Sequence, residues 1–216
     1  MRPTPKRPPT GAAPQKPRRT QEQRRAETRR KLIDAAIRLL RESGFARFTI
    51  REVAARSGLT SGAVQHHFPS NHDLLRGVVE AVYPLLRIEV CNPEMLNLAI
   101  PARVGRIVDI YWQKLYARPD YLIFWELAFG TREQDHLQKL LKTMQKESVA
   151  KGVSDLTRTF ADIGMRPKIA FQLWTFIGSQ LRGLALLSMF EGQRVLKDDL
   201  NLLKKSVFQL ILDQSC

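Results

Sequence analysis

Apolar residues recur at helical spacing from Gln21 to the end of the chain, and no segment alternates in the manner of a β-strand. Leu32, Ala35, Ala36, Leu39 and Leu40 form the first clear apolar face. The pattern predicts an all-α protein of about nine helices. One runs from Gln21 to just before Gly44, short ones cover 50–57 and 61–67, a fourth starts at 70–73, and longer ones lie near 101–118, 120–129, 132–163, 167–190 and 195–213. Pro84 either kinks the fourth helix or marks its end.

Residues 49–69 carry start and stop signals for two short helices. Thr49 and Glu52 have the spacing of a capping box, and Thr60 is a suitable N-cap for the second helix. Gly58 can adopt the left-handed conformation of a tight turn, and Pro69 prevents the second helix from continuing. The segment therefore reads as helix, sharp turn, helix.

The same segment has the residue types that a helix-turn-helix requires. Counted from Ile50, Ala54 is fifth, Gly58 ninth and Val64 fifteenth. The crossing of two helices at a sharp angle needs a small residue, a turn glycine and an apolar contact from the second helix. We therefore predict a DNA-binding helix-turn-helix, with a chance helical hairpin in a core as the alternative.

Positive charge is concentrated at the N-terminus. The formal net charge is +14, and residues 1–31 hold 11 Lys/Arg against 2 Asp/Glu. Six prolines and few apolar residues in 1–20 predict a disordered basic tail. Such a distribution is typical of a nucleic-acid-binding protein, although a solvated tail without a partner would look the same.

Other features of the sequence narrow the class of protein. No apolar run reaches the ~20 residues of a membrane span, no secretory signal is recognised, and Cys91 and Cys216 read as free thiols, so we expect a cytoplasmic protein without membrane contact. His66, His67 and His72 do not share a helix face, and no metal site or cofactor is expected. No nucleophile elbow, P-loop or nucleotide fingerprint is present, so an enzyme is not expected.

Residues 28–75 resemble the DNA-binding domain of TetR-family repressors. The resemblance is carried by Ala35-Ala36, Gly44-Phe45, Thr49-Ile50, Val53-Ala54, Gly58, Gly62 and His67-Phe68. It implies a helix-turn-helix DNA-binding domain over 26–86 and a larger helical ligand-binding and dimerisation domain over 87–216. It also implies a repressor that binds a palindromic double-stranded operator as a homodimer through the helices near 167–190 and 195–213, and that is released by a small-molecule effector not yet identified.

By this resemblance, the third helix enters the major groove of DNA. The expected DNA-binding residues are Arg29, Thr49, Thr60, Ser61, Gly62, Ala63, Gln65, His66, His67 and Asn71. Gln65 is the preferred base reader, because a glutamine can pair bidentately with adenine. The family usually has tyrosine at Gln65 and a phosphate-binding lysine at Asn71. The basic tail, with Arg29, Arg30 and Lys31, would compensate for the missing charge.

Aromatic residues are frequent beyond the DNA-binding region. The candidate ligand-binding residues are Tyr111, Trp112, Leu115, Trp125, Phe129, Trp174, Ile177 and Arg182, with Tyr116, Tyr121 and Phe124 nearby. An aromatic core without a cavity is the alternative. Arg182 lies in an apolar helical run and needs a partner. We expect Glu126 first, and an acidic ligand or the second subunit as alternatives.

Three other functions remain open at this point. One is a DNA-binding factor of the same fold that needs no ligand, which a filled core would favour. Another is a helical interaction protein whose basic tail binds RNA or an acidic membrane. Salt-sensitive binding without sequence preference would favour it. The last is an enzyme without a recognisable motif.

Overall fold

The computed structural model describes residues 20–191 and 193–213, and within these ranges every regular element is a helix. The ten α-helices are α1 Gln21–Ser43, α2 Ile50–Ser57, α3 Ser61–His67, α4 Asn71–Val82, α5 Pro93–Leu96, α6 Ile100–Tyr111, α7 Pro119–Gly130, α8 Asp135–Thr159, α9 Pro167–Glu191 and α10 Gln193–Asp213. The all-α prediction is confirmed, and the expected nine helices become ten because the single turn of α5 has too few residues for a periodic signal. The predicted disordered tail lies outside the described residues, except for Thr20, which forms a capping box with Gln23 at the start of α1.

Helices α1–α4, called here the reading head, follow the local signals closely. Gly58 ends α2 in the left-handed conformation with φ +68°, and Thr60 caps α3 by accepting a hydrogen bond from the Ala63 N–H at 3.2 Å. Thr49 caps α2 through the Glu52 N–H at 3.2 Å, but the return bond of a capping box is absent between these two residues. The left-handed Gly58 and the Thr60 cap thus set the angle between α2 and α3.

The core of the reading head continues into the C-terminal half of the chain. Its buried side chains include Leu32, Val53, Val64, Phe68 and Leu74. The same cluster contains five buried residues from α7 and α8, namely Ile123, Leu127, Leu137, Leu141 and Met144. The reading head therefore packs on these two helices through a shared apolar core. Because this core crosses residue 86, the domain boundary expected there remains a prediction.

A second core joins α6, the second half of α8, α9 and α10. It includes Ile107, Leu156, Leu173, Leu181 and Val207. Several boundaries differ from the prediction: the helix expected over 101–118 becomes α6 followed by a π-helical turn over Trp112–Tyr116, and α8 is shorter at both ends than 132–163. At Pro84 the helix ends, because α4 stops at Val82 and a 3-10 turn over Tyr83–Leu86 follows.

Helices α9 and α10 carry apolar side chains that the single chain leaves exposed. They are Phe171, Leu186, Leu187, Met189, Phe190, Leu202, Leu210 and Leu212. None of the described helices meets the length and hydropathy requirements of a membrane span. Large exposed apolar patches on soluble proteins are often interaction sites.

Candidate nucleic-acid interface and ligand cavity

Helix α3 has one buried face and one open face. Val64 is fully buried in the core of the reading head, whereas Ser61, Gly62, Gln65 and His66 are exposed and Ala63 is half-buried. With His67, six of the predicted DNA-binding residues therefore lie on one short helix, and Thr60 is exposed at its N-cap. A glycine and an alanine beside the glutamine leave room for close approach to bases.

Two other predicted contacts lie at helix N-termini that flank α3. Thr49 is the N-cap of α2, and Asn71 is the first residue of α4; both side chains are exposed. The start of α4 is organised by a capping box between Ser70 and Asp73, which leaves the Asn71 side chain outside that bond network. Backbone N–H groups at helix N-termini favour phosphate groups.

Arg29 and His67 connect α1 to the end of α3. The Arg29 guanidinium donates to the His67 carbonyl oxygen at 3.4 Å and lies 4.3 Å from the centroid of the Phe68 ring. Burial lowers the pKa of the His67 imidazole, and the neighbouring charges of His66, Arg25 and Arg29 lower this pKa further. Both residues therefore help to position α3 as well as facing the surface, which the sequence pattern did not reveal for Arg29.

The histidines outside α3 form a pair. His72 Nε2 and His136 Nδ1 are 3.1 Å apart, which joins the start of α4 to the start of α8. His136 is therefore in contact with a second histidine. In the part of the chain that the structure describes, no three His, Cys, Asp or Glu side chains are grouped as a metal ion requires.

A cavity lies among helices α6–α9 and the segment that follows α4. Its empty volume is about 860 Å³, including the part open to solvent. Six of the eight predicted ligand-binding residues line it: Tyr111, Leu115, Trp125, Trp174, Ile177 and Arg182. A mainly aromatic lining with a few polar groups is typical of small-molecule sites.

Trp112 and Phe129 are the two predicted residues that do not line this cavity. Trp112 begins the π-helical turn and lines a separate surface groove with Asp109, Leu200 and Lys204. Phe129, at the end of α7, is 66% exposed, and its ring centroid is 5.7 Å from that of Trp125. Aromatic character alone did not indicate the direction of either side chain, because helical phase after a π turn or near a helix end is not fixed by the sequence pattern.

The sequence reasoning missed one whole wall of the cavity. Tyr83, Arg87 and Ile88 contribute from the turn after α4, and Met144, Gln145, Ser148, Lys151, Gly152 and Leu156 contribute from α8. Gly152 and Gly178, both within helices, were the available signal. A Cβ at Gly152 would overlap the Trp174 indole, and one at Gly178 would lie 3.1 Å from the Tyr116 hydroxyl. Glycine in these two helices therefore makes space for aromatic side chains.

Arg182 is not paired with Glu126, contrary to our first expectation. Its Nε donates to the Tyr121 hydroxyl at 3.1 Å, and its guanidinium lies 4.9 Å from the Trp125 ring centroid. Among the described carboxylates, none forms an ion pair with Arg182. Glu126 instead lies beside Gly44 and accepts from the backbone N–H of Phe45, and burial raises the pKa of its carboxyl.

The cavity wall is basic and aromatic. Arg87, Lys151 and Arg182 line it, and none of its described lining residues is Asp or Glu. Lys151 is paired with the buried Asp155 at 2.9 Å. Burial raises the pKa of Tyr111 and of Tyr116 well above the usual range, so both phenols stay neutral.

Helix α7 connects the cavity to the reading head. Tyr121, Phe124 and Trp125 line the cavity, whereas Asp120 forms an ion pair with Arg41 of α1. At its other end, the backbone of Gly130 packs so closely on the Phe45 ring that a Cβ would overlap it. A change in the cavity therefore has a short physical route to α1 and the turn that follows it.

Comparison with known proteins gives a consistent result. Residues 32–78 match the family model described as bacterial regulatory proteins, tetR family. The HTH-type transcriptional regulator CymR of Pseudomonas putida is 47% identical over 66 residues, which are 31% of this chain and 32% of CymR. The chain thus spans about a third of the length of this curated relative.

Solved structures extend the similarity to the whole fold. A TetR transcriptional regulator from Chloroflexus aurantiacus has a TM-score of 0.64 at 19% identity, over 88% of this chain and 96% of that one. A protein described as a transcriptional regulator, from Saccharomonospora viridis and solved in complex with choline, has a TM-score of 0.58 at 20% identity, over 86% and 96% of the two chains. The similarity therefore covers the cavity-bearing helices as well as the reading head.

Proposed function

Because this chain belongs to the TetR family of transcriptional regulators, we propose that it is a homodimeric repressor that binds a palindromic operator and releases it when a small molecule enters the cavity. The observation that carries the proposal is the position of α7, which lines the cavity with one face and packs on the reading head with the other. Its place of action would be the cytoplasm, where a bacterial chromosome is accessible.

The reading head supplies the contact with DNA. We assign it to a DNA-binding domain over 26–86, with the ligand-binding and dimerisation domain over 87–216. Gln65, exposed in the middle of α3, would read a base edge, and Thr49 and Asn71 would bind phosphates on either side. Arg29 would act mainly by holding α3 against α1.

The exposed apolar surface of α9 and α10 supports a dimer. Phe190 is 84% exposed, Leu202 64% and Leu187 46%, which is costly unless a partner covers them. A second copy related by a two-fold axis would place two α3 helices on successive half-sites of a palindrome. Operator spacing would then depend on how each reading head is held by its own α7.

Release by a ligand requires that the ligand bind the DNA-free arrangement more tightly than the DNA-bound one. The cavity supports this because α7 cannot shift toward or away from a ligand without moving its contacts with Arg41 and Phe45. The choline complex of the Saccharomonospora viridis protein supports small-molecule binding by a fold of this shape.

The test is binding to the DNA upstream of the protein's own gene, with unrelated competitor DNA present. Gln65→Ala is compared with Gln113→Ala, a matched change at an exposed glutamine far from α3. We expect the parent and Gln113→Ala to bind alike, and Gln65→Ala to lose about tenfold or more in discrimination between operator and competitor. The mass of the complex should correspond to two chains per operator.

Two results would contradict the proposal. Binding that competitor DNA abolishes equally in all three proteins, at every upstream fragment tried, would leave a basic helical protein without sequence choice. Operator binding by a single chain would contradict the dimer while leaving the reading head intact.

A further inference from the structure

We propose that the cavity binds an organic acid, with a flat apolar body held among the aromatic side chains and a carboxylate bound to Arg182. This deepens the proposed function, on which it rests for the cavity being the effector site. The inference concerns the chemical class of the ligand, and four observations carry it.

The charge of the wall is the first observation. Three cationic side chains line the cavity and no carboxylate does, within the residues that the structure describes. The buried Asp155 interacts with the lining residue Tyr111 but is not itself in the lining, and it is already bound by Lys151 at 2.9 Å. A cationic ligand would therefore meet a positive wall, whereas an anionic one would be attracted to it.

The surroundings of Arg182 are the second observation. This half-buried guanidinium has hydroxyl and ring partners, with the Tyr121 oxygen at 3.1 Å and the Trp125 ring at 4.9 Å. A partly desolvated cation without a counterion is unfavourable. A ligand carboxylate would supply that counterion through charge-assisted hydrogen bonds to the remaining N–H groups of the fork.

The neutral donors near Arg182 are the third observation. The Tyr116 and Tyr121 rings are 4.6 Å apart, and burial keeps the Tyr116 phenol protonated. The Trp125 Nε1 is buried and has no hydrogen-bond partner. A carboxylate has two oxygens and about four acceptor positions, which makes it a better match to this group of donors than an amine.

The shape of the remaining wall is the fourth observation. Tyr121 and Trp125 meet edge to face with ring centroids 6.5 Å apart, and Trp174 packs on the bare backbone of Gly152. Large flat side chains present flat surfaces, so an aromatic or otherwise planar ligand body gains the most contact there.

The experiment uses three probes with one body and different head groups: 2-naphthoate, 2-naphthamide and 2-naphthylmethylammonium. Binding to the full chain is measured by titration calorimetry. We expect 2-naphthoate to bind about tenfold or more tightly than either other probe. Arg182→Gln should reduce this preference to within about twofold, because the carboxylate loses much more affinity than the amide, whereas Arg106→Gln, an exposed cation on α6, should retain the preference.

Amide binding and the melting temperature show whether Arg182→Gln is folded, and Arg182→Lys, which keeps the charge, should retain part of the preference. Equal or stronger binding of the amide or the ammonium probe, no binding of any probe, or a preference that survives Arg182→Gln would overturn the inference. Operator release is measured separately. A carboxylate that binds without weakening operator binding would refute ligand release but support the inference. Release of the operator by the cationic probe alone would support ligand release but refute the inference.

Discussion

The reading head and the helices around the cavity treat their apolar side chains in different ways. In the reading head, residues such as Leu32, Val64 and Phe68 are fully buried in a continuous core. Around the cavity, Tyr111, Trp125 and Trp174 instead border open space. A closed core gives one fixed arrangement of α3, whereas a lined cavity leaves its helices free to adjust to a ligand.

The two regions nevertheless share one helix, α7. Ile123 and Leu127 of α7 belong to the core of the reading head, whereas Tyr121 and Trp125 of the same helix line the cavity. Coupling therefore needs no chain of distant contacts, because one rigid helix lies in both regions. The comparison predicts that the two regions unfold together but respond separately to changes in packing.

Leu127→Ala should have the largest effect. Leu127 is fully buried in the shared core, and we expect its truncation to lower the free energy of unfolding by about 2–5 kcal/mol. The measurement is denaturant unfolding followed by far-UV circular dichroism, which reports all helices, and by tryptophan fluorescence. Trp112, Trp125 and Trp174 all lie outside the reading head, so the second probe reports the helices that follow it.

Both transitions should move together in Leu127→Ala, since the core is shared. Leu96→Ala, at a side chain that is 50% exposed on α5, is the matched control and should change stability far less. A circular dichroism curve with two steps, only one of which coincides with fluorescence, would mean that the reading head folds as an independent unit.

Two glycine substitutions should then separate the regions. Gly130→Ala places a methyl group on the Phe45 ring at the junction with the reading head, and Gly152→Ala places one on the Trp174 indole in the cavity wall. Each should cost about 1–3 kcal/mol of stability through overpacking. Operator affinity, measured by titration of labelled DNA, should fall mainly in Gly130→Ala, and binding of 2-naphthoate should fall mainly in Gly152→Ala.

Gly105→Ala on α6 is the control for this pair, because a Cβ there meets nothing within 4 Å. Equal losses of both activities in Gly130→Ala and Gly152→Ala would indicate that the regions are one packing unit without separable roles. Unchanged activities in both would show that the aromatic rings move aside at no functional cost.

Prediction from sequence succeeded where local chemistry determines structure. The caps at Thr49 and Thr60, the left-handed Gly58 and the stop at Pro69 each act over a few residues, so the bounds of α2 and α3 follow from the sequence alone. The start of α1 at Gln21 was predicted from the helical pattern, and the structure adds a capping box between Thr20 and Gln23 there.

Prediction was weaker where the direction of a side chain depends on distant packing. Phe129 and Trp112 were assigned to the cavity by residue type and lie elsewhere, and Glu126 contacts Gly44 and Phe45 rather than Arg182. The contribution of α8 was missed because Gln145, Ser148 and Lys151 look like residues of a solvated helix face. Only the fold brings that face against the aromatic wall.

Glu126→Gln should have the smallest effect and sharpens the comparison at the contact between the regions. Burial raises the pKa of this carboxyl above its usual 4.5, so the folded protein holds the proton to higher pH than the unfolded chain does. Folding is then favoured most below the unfolded pKa, and that contribution is lost as the pH rises through the folded pKa. A glutamine removes the cost of the buried charge and can still accept from the Phe45 N–H.

We therefore expect Glu126→Gln to melt at a slightly higher temperature than the parent at pH 7, with a difference that shrinks toward pH 4. Glu133→Gln, at a carboxyl exposed on the loop after α7, should follow the parent at every pH. A Glu126→Gln protein that is less stable at pH 7 would show that the ionised carboxylate itself holds α7 against the reading head.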